Sequence, residues 1–320
     1  MSALLHAKDL VVAYETGRGR VQALDSLNLT VEPGETLAIV GESGSGKSTL
    51  GLAVGRLLPA VALKESGSLT LQGQEVFAAA PDALRRLRRD LLGFVFQNPM
   101  SALDPTMRVG RQVSRAAGGC GTAEMQALLV KAGLDEPERV AASYPHELSG
   151  GMAQRVVIAM AIARGPALLI ADEPTASLDV SIRARVMKTL LDLQKDAGAS
   201  LIVLTHDLHL AARSCQRLAV MYGGRVVEVG RSATVLSRPA HPYTRGLLAA
   251  AAGNEAPGED LKPIPGLPPL LRQRAPDCSF APRCPFAEAR CTDLRPEARE
   301  LDRREVVCHL AERVLVEASR

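Results

Sequence analysis

The chain has no tryptophan, and aromatic residues make up only 3% of its 320 positions. Its core must therefore be built from aliphatic side chains and alanine, which a hydrophobic content of 47% supplies. Charge of one sign is lacking too: 38 Lys and Arg stand against 35 Asp and Glu, a formal net charge of +3. That balance argues against nucleic-acid binding driven by net charge, and no nucleic-acid partner is expected. No apolar run reaches the length that spans a bilayer, so this polypeptide is expected to form no pore. No secretory signal is read before Asp9. Cysteine is nearly missing until the end, where Cys278, Cys284, Cys291 and Cys308 crowd together after the isolated Cys120 and Cys215.

What is present is organised around Gly41-Glu42-Ser43-Gly44-Ser45-Gly46-Lys47-Ser48-Thr49. The stretch follows the apolar run 36–40 and precedes a segment of helical character, the context a phosphate-binding loop requires. Its glycines let the backbone curl without side chains crowding a ligand, and amide N–H groups then converge on phosphate oxygens. Lys47 reaches the β- and γ-phosphates, and the Ser48 hydroxyl can ligate Mg²⁺. Alone, this pattern leaves ATPase, GTPase and kinase open.

The rest of the chain reads as α/β. Residues 4–40 carry short β-like segments that predict a small antiparallel layer laid against the loop's domain. Residues 81–90 predict a charged helix, and 91–96 a strand delivering Gln97. Short helices are expected over 122–148, a loose stretch over 114–123, and a helix over 152–163 with Ser149 as its N-cap. The strand 167–171 presents Asp172 and Glu173, a helix follows over 182–195, and the strand 201–204 ends at Thr205-His206-Asp207. Two further strands flank Gly223-Gly224. Strand, helix and strand in this order predict a largely parallel sheet covered on both sides, with ligands beyond its carboxyl edge. Residues 1–250 are read as one domain, with a helical subdomain at about 98–163. Beyond it, 254–274 reads as an extended linker containing Ile264-Pro265-Gly266-Leu267-Pro268-Pro269, a segment suited to docking.

The strand ends carry the chemistry. Asp172 is placed to hold the Mg²⁺ shell, and Glu173 to orient a water toward the γ-phosphorus. Gln97 fits a metal- or water-coordinating amide and His206 a γ-phosphate hydrogen-bonder, although each alone equally fits a turn residue and a surface histidine. Asp207 is alternatively a helix cap. Tyr14 is either a structural tyrosine or a ring that stacks on adenine. Ser149-Gly150-Gly151 exposes helix-start amides as a second anion site, which a single nucleotide does not need. The economical explanation is that it faces the ATP of a partner subunit.

Taken in order, these residues closely resemble the ATPase subunit of ABC transporters, a P-loop NTPase with a RecA-like parallel sheet core. Tyr14 matches the A-loop aromatic, 41–49 the Walker A loop, Gln97 the Q-loop, and LSGGMAQR at 148–155 the signature. LLIADEP at 168–174 matches Walker B, Ser177-Leu178-Asp179 the D-loop, and His206 the switch histidine. The resemblance implies a head-to-tail dimer with two ATPs at its interface, Glu173 as general base, and Asp179 in communication between sites. Segments 96–113, 144–163, 220–230 and 241–248, with CSFAPRCPFAEARC at 278–291, are similar to the oligopeptide/dipeptide import branch, of which nickel importers are close relatives. This implies a peripheral ATPase on the cytoplasmic face of the plasma (inner) membrane. Its expected partners are a second related ATPase in a heterodimer, two permease subunits and an extracytoplasmic solute-binding protein. A soluble ABC ATPase acting on nucleic acid or ribosomes is the reading from another class. A P-loop kinase leaves the signature unexplained. Ala153 stands where the family often has a basic residue, and Gly223 replaces a common alanine.

The terminal cysteines are separated by five, six and sixteen residues, wider than a compact zinc ribbon yet sufficient to surround a metal. Resemblance to relatives with this tail implies a [4Fe–4S] cluster; zinc on the same four sulfurs is the alternative. The plain alternative is that they are small buried hydrophobes. The sequence offers no route from such a cluster to ATP hydrolysis, and its expected role is to staple a tail poor in apolar residues.

Overall fold

In the computed structural model, residues 3–17, 19–176, 178–252, 263–270, 273 and 275–317 are described. The strands β1 (Leu5–Thr16), β2 (Gly19–Val31), β3 (Thr36–Val40), β4 (Ala62–Leu71) and β5 (Gln74–Glu75) come first. β6 (Leu92–Val95), β7 (Leu168–Asp172) and β8 (Ser200–Thr205) follow. β9 (Arg217–Tyr222), β10 (Arg225–Arg231), β11 (Arg299–Leu301) and β12 (Arg304–Val306) complete the set among the described residues. The chain divides into two compact units, one of residues 1–31, 36–78 and 204–320, the other of 32–35 and 79–203.

In the first unit, β2-β1-β4-β5 form an antiparallel sheet, the layer expected from residues 4–40 carried on as far as Glu75. Leu24, Leu27, Leu29 and Val31 of β2 are buried, so one face of the hairpin closes a core. A second sheet runs β11-β12-β10-β9-β3. β3 and β9 are parallel, with Ile39 opposite Ala219. All five residues of β3 are buried, as the unbroken apolar run before the phosphate loop requires. β9 and β10 join through Gly223 (φ 53°) and Gly224 (φ 75°). A Cβ at Gly224 would lie 2.7 Å from the Ala23 carbonyl oxygen, so glycine there lets the hairpin press on β2.

The C-terminal extension is woven into this same sheet. β12 pairs antiparallel with β10, Val229 opposite Glu305, and β11 pairs with β12 in turn. Beneath the join, Arg304 and Glu228 form an ion pair at 3.0 Å with both side chains fully buried. Glu228 also accepts the amides of Ala240 (2.9 Å) and His241 (3.0 Å), so its lone pairs are well used. Most of the linker expected over 254–274 lies outside the described residues. Ile264 and Pro265 are docked, their carbonyls accepting from Arg283.

In the second unit β6 and β7 run parallel, Phe94 opposite Ile170, and β8 follows β7 in strand order. The helix Gly150–Ile162 lies so close to β6 that a Cβ at Gly93 would sit 2.4 Å from the Ala161 carbonyl oxygen. The looseness expected over 114–123 is narrower than read: the helix Val109–Ala116 is regular, and the irregular turn follows it. Gly118 and Gly119 both take positive φ there, and the Ser114 hydroxyl closes the turn on the Cys120 carbonyl at 2.6 Å.

Candidate functional site

The first unit carries the loop 41–49 between β3 and the helix Lys47–Val54. Gly46 caps that helix at φ 102°, a conformation open to glycine, and a Cβ there would meet the Ala23 carbonyl oxygen at 2.5 Å. Lys47 is buried, its Nζ donating to the carbonyls of Gly41 (2.7 Å) and Glu42 (3.0 Å). The ammonium is thereby folded into the mouth of the loop, where phosphate oxygens would compete for it. Ser43, Gly44 and Ser48 are exposed, whereas Gly41 and Ser45 are buried beneath them. Tyr14 joins this group: its hydroxyl lies 3.1 Å from the Thr49 hydroxyl, half-buried on β1. His206 stands exposed just past β8. Asp207 is the N-cap of the helix Leu208–Ser214, accepting from the Leu210 amide at 2.9 Å, so the capping alternative holds for it.

The second unit carries the remaining residues. Asp172 ends β7 and is buried; Glu173 follows at φ 46°, also buried. Left-handed backbone at a glutamate is uncommon and is held only where the surroundings dictate it. Gln97 is exposed in the bend after β6. Ser149 caps the helix Gly150–Ile162, accepting from the Met152 amide at 3.3 Å. Ser149 and Gly150 are exposed, so this helix start presents its amides outward. Among the described residues nothing lies within 4 Å of a Cβ built on Gly150. Asp179 is exposed ahead of the helix Val180–Ala197, and the neighbouring Leu178 carbonyl accepts from Arg183 Nε at 2.8 Å. Ser177 lies outside the described residues.

The four terminal cysteines are gathered, with all thiols free. Cys278, Cys291 and Cys308 pack with Phe286, Val306, Leu310 and Leu315 in one apolar cluster, and the Cys278 amide donates to the Cys291 carbonyl at 3.0 Å. Burial pushes the Cys308 thiol up to about 12 and that of Cys284 up to about 11. The expected metal site needs qualifying: among the described residues no group of three or more His, Cys, Asp or Glu is arranged to hold a metal ion. Cys291 and Cys308 are buried within that cluster, and Cys278 packs against it half-buried.

Sequence reasoning missed what touches the loop from behind. Glu42 donates its amide to the Tyr243 hydroxyl at 2.9 Å. Its carboxylate receives both terminal nitrogens of Arg283, at 2.7 and 3.0 Å. The only signal was that Tyr243 and Arg283 sit inside the stretches 241–248 and 278–291 that marked the import branch.

Residues 24–176 match the family model described as ABC transporter, and residues 227–291 that of the oligopeptide/dipeptide transporter C-terminal region. The chain is 42% identical over 301 residues to the oligopeptide transport ATP-binding protein OppD of Escherichia coli, covering 92% of this chain and 89% of that one. It is 44% identical over 306 residues to the OppD of Mycobacterium tuberculosis, covering 93% of this chain. The chain spans about half the length of that mycobacterial relative, 50% of it being covered. Among solved structures, a dimeric ATP-binding cassette in a post-hydrolysis state with ADP and Pi aligns at TM-score 0.63 and 30% identity, covering 71% of this chain and 98% of that one. The cbiO1 protein of Clostridium perfringens, part of an ABC transporter complex, aligns at TM-score 0.63 and 29% identity, with 74% and 92% covered.

Proposed function

Since this chain belongs to the ABC transporter ATP-binding family, we propose that it hydrolyses ATP to power import of dipeptides and oligopeptides through separate permease subunits. The observation that carries this reading is the pairing, on one chain, of a formed phosphate loop with a C-terminal region matching that of oligopeptide/dipeptide transporters. No helix among the described residues is long and apolar enough to cross a membrane, which is consistent with peripheral attachment to permeases. Attachment at the cytoplasmic face, a solute-binding protein outside it and a second, related ATPase completing a heterodimer belong to the same proposal.

In the proposed mechanism, residues 41–49 wrap the phosphates and Lys47 exchanges its loop carbonyls for β- and γ-phosphate oxygens. Tyr14 stacks on the adenine. Ser48, Asp172 and Gln97 would hold Mg²⁺, which would supply neutralisation of phosphate charge when bound. Glu173 orients the attacking water, and His206 donates to the γ-phosphate. Ser149, Gly150 and Gly151 of the companion ATPase cover the triphosphate from the other side, and Asp179 links the two sites. The outward-facing amides at that helix start support a contact in trans.

Reconstitution of the complete complex in liposomes tests the reading. Peptides delivered by the binding protein are expected to accelerate ATP hydrolysis and to accumulate inside. Uptake of nickel with indifference to dipeptides and longer peptides would assign the chain to the alternative cargo.

The cysteine cluster is proposed to hold a [4Fe–4S] centre, with zinc as the alternative. Four free cysteines, three of them packed in one cluster, are the observation behind this reading. Anaerobically purified protein is expected to contain iron and sulfide. A folded tail free of iron and zinc leaves the thiols as packing groups only.

A further inference from the structure

Arg283 is a cation built into a socket. The residue is 7% exposed, and its donors meet acceptors from distant parts of the first unit. Nε donates to the Pro265 carbonyl at 2.8 Å and Nη2 to the Ile264 carbonyl at 3.3 Å. Nη1 and Nη2 clamp the Glu42 carboxylate, and Nη1 reaches the Tyr222 hydroxyl at 3.4 Å. The rings of Tyr222 and Tyr243 lie 4.6 Å apart, with Phe280 at 5.1 and 5.4 Å, forming an aromatic floor beneath the loop. Tyr243 is fully buried, and its hydroxyl accepts the Glu42 amide.

A planar fork that is fixed on both edges imposes direction on its carboxylate, which a lone lysine does not. The direction matters here because Glu42 lies within the loop that must bind an anion. An uncompensated carboxylate at this position repels phosphate, and a loop free to shift loses its aligned amides. The turn that presents Arg283 runs between Cys278 and Cys284, with Ala281 bonded to the Cys278 carbonyl at 2.8 Å and Cys284 to that of Ala281 at 3.2 Å. The tail thus has a direct route to the nucleotide site.

We propose that the C-terminal extension completes the phosphate loop from behind. Arg283 is a positioning residue that neutralises and orients Glu42, and the Tyr243 hydroxyl fixes the Glu42 amide. The inference rests on the reading of residues 41–49 as an ATP site and adds a part of the chain outside the core motifs to it.

The test is titration of the full-length chain with a fluorescent ATP analogue and Mg²⁺, with the melting temperature recorded for every variant. Arg283→Ala is expected to weaken binding about tenfold. Adding Glu42→Gln to it is expected to recover most of that loss, since the repelling charge goes with its partner. Arg299→Ala breaks the Arg299–Glu312 pair elsewhere in the extension and is expected to bind as wild type does. Tyr243→Phe keeps the ring, removes only the hydroxyl, and carries the test should Arg283→Ala fail to fold; a loss of about fivefold is expected. The proposal is overturned by wild-type affinity in Arg283→Ala or Tyr243→Phe. An equal loss in Arg299→Ala, or a double variant no better than Arg283→Ala, overturns it as well. A wild-type chain that binds no nucleotide removes the ATP-site reading itself, which separates the two failures.

Discussion

Replacing Glu173 by glutamine is expected to slow ATP turnover by about a hundred- to ten-thousandfold while Mg-ATP stays bound. The amide matches the carboxylate in size and can still accept hydrogen bonds through its oxygen, so the site loses a charge and a base but little shape. Phosphoryl transfer depends on a water held in line with the γ-phosphorus, and a carboxylate polarises and aligns that water as an amide does not. Glu173 is well suited to aim a side chain: it directly follows the buried strand β7, and its φ of 46° turns the chain sharply out of the sheet. Backbone strain of this kind is stable only when surrounding structure holds it, and it concentrates at functional positions. Single-turnover hydrolysis beside equilibrium nucleotide binding measures the two effects separately. Turnover within about tenfold of wild type rejects the base role, because removing a general base typically costs far more.

Gly46→Ala is expected to weaken ATP binding by about a hundredfold or more, since displacing a preorganised site by an ångström can cost that much. At φ 102° an alanine is strained whatever the space, and its Cβ would also lie 2.5 Å from the Ala23 carbonyl oxygen and 3.0 Å from Leu24 Cδ2. Both obstacles belong to β2, which is built into a sheet and cannot easily retreat. The helix start must move instead, carrying the amides of Lys47 and Ser48 with it. Gly44→Ala provides the contrast. It has φ 81° but, among the described residues, nothing within 4 Å of its Cβ, so it carries the backbone cost of about 1–2 kcal/mol alone. A calorimetric titration with Mg-ATP ranks the three proteins. Equal affinity of Gly46→Ala and wild type would mean that the loop is not held against β2 as described.

How far the chain can be read in advance differs from element to element. Ser149 and Asp207 were legible as caps because a cap is settled within four residues: a side-chain oxygen meets an amide two or three positions on. β3 was legible as a buried strand because a continuous apolar run admits few other placements. The left-handed backbone at Glu173 had no such marker, since glutamate, unlike glycine or asparagine, does not advertise that conformation. The cysteines could be counted, but whether four thiols surround a metal or pack against Val306 and Leu315 depends on angles that spacing does not contain.

By itself the sequence determined the phosphate loop, the acidic pair after β7 and the α/β class, because each depends on neighbours along the chain. Only the tertiary structure decided that β12 would extend the sheet beside β10, and that Arg283 would meet Glu42 across 241 positions. Strand pairing and ion pairing between remote segments depend on how the intervening chain is packed. No local periodicity records which carboxylate a buried guanidinium will find.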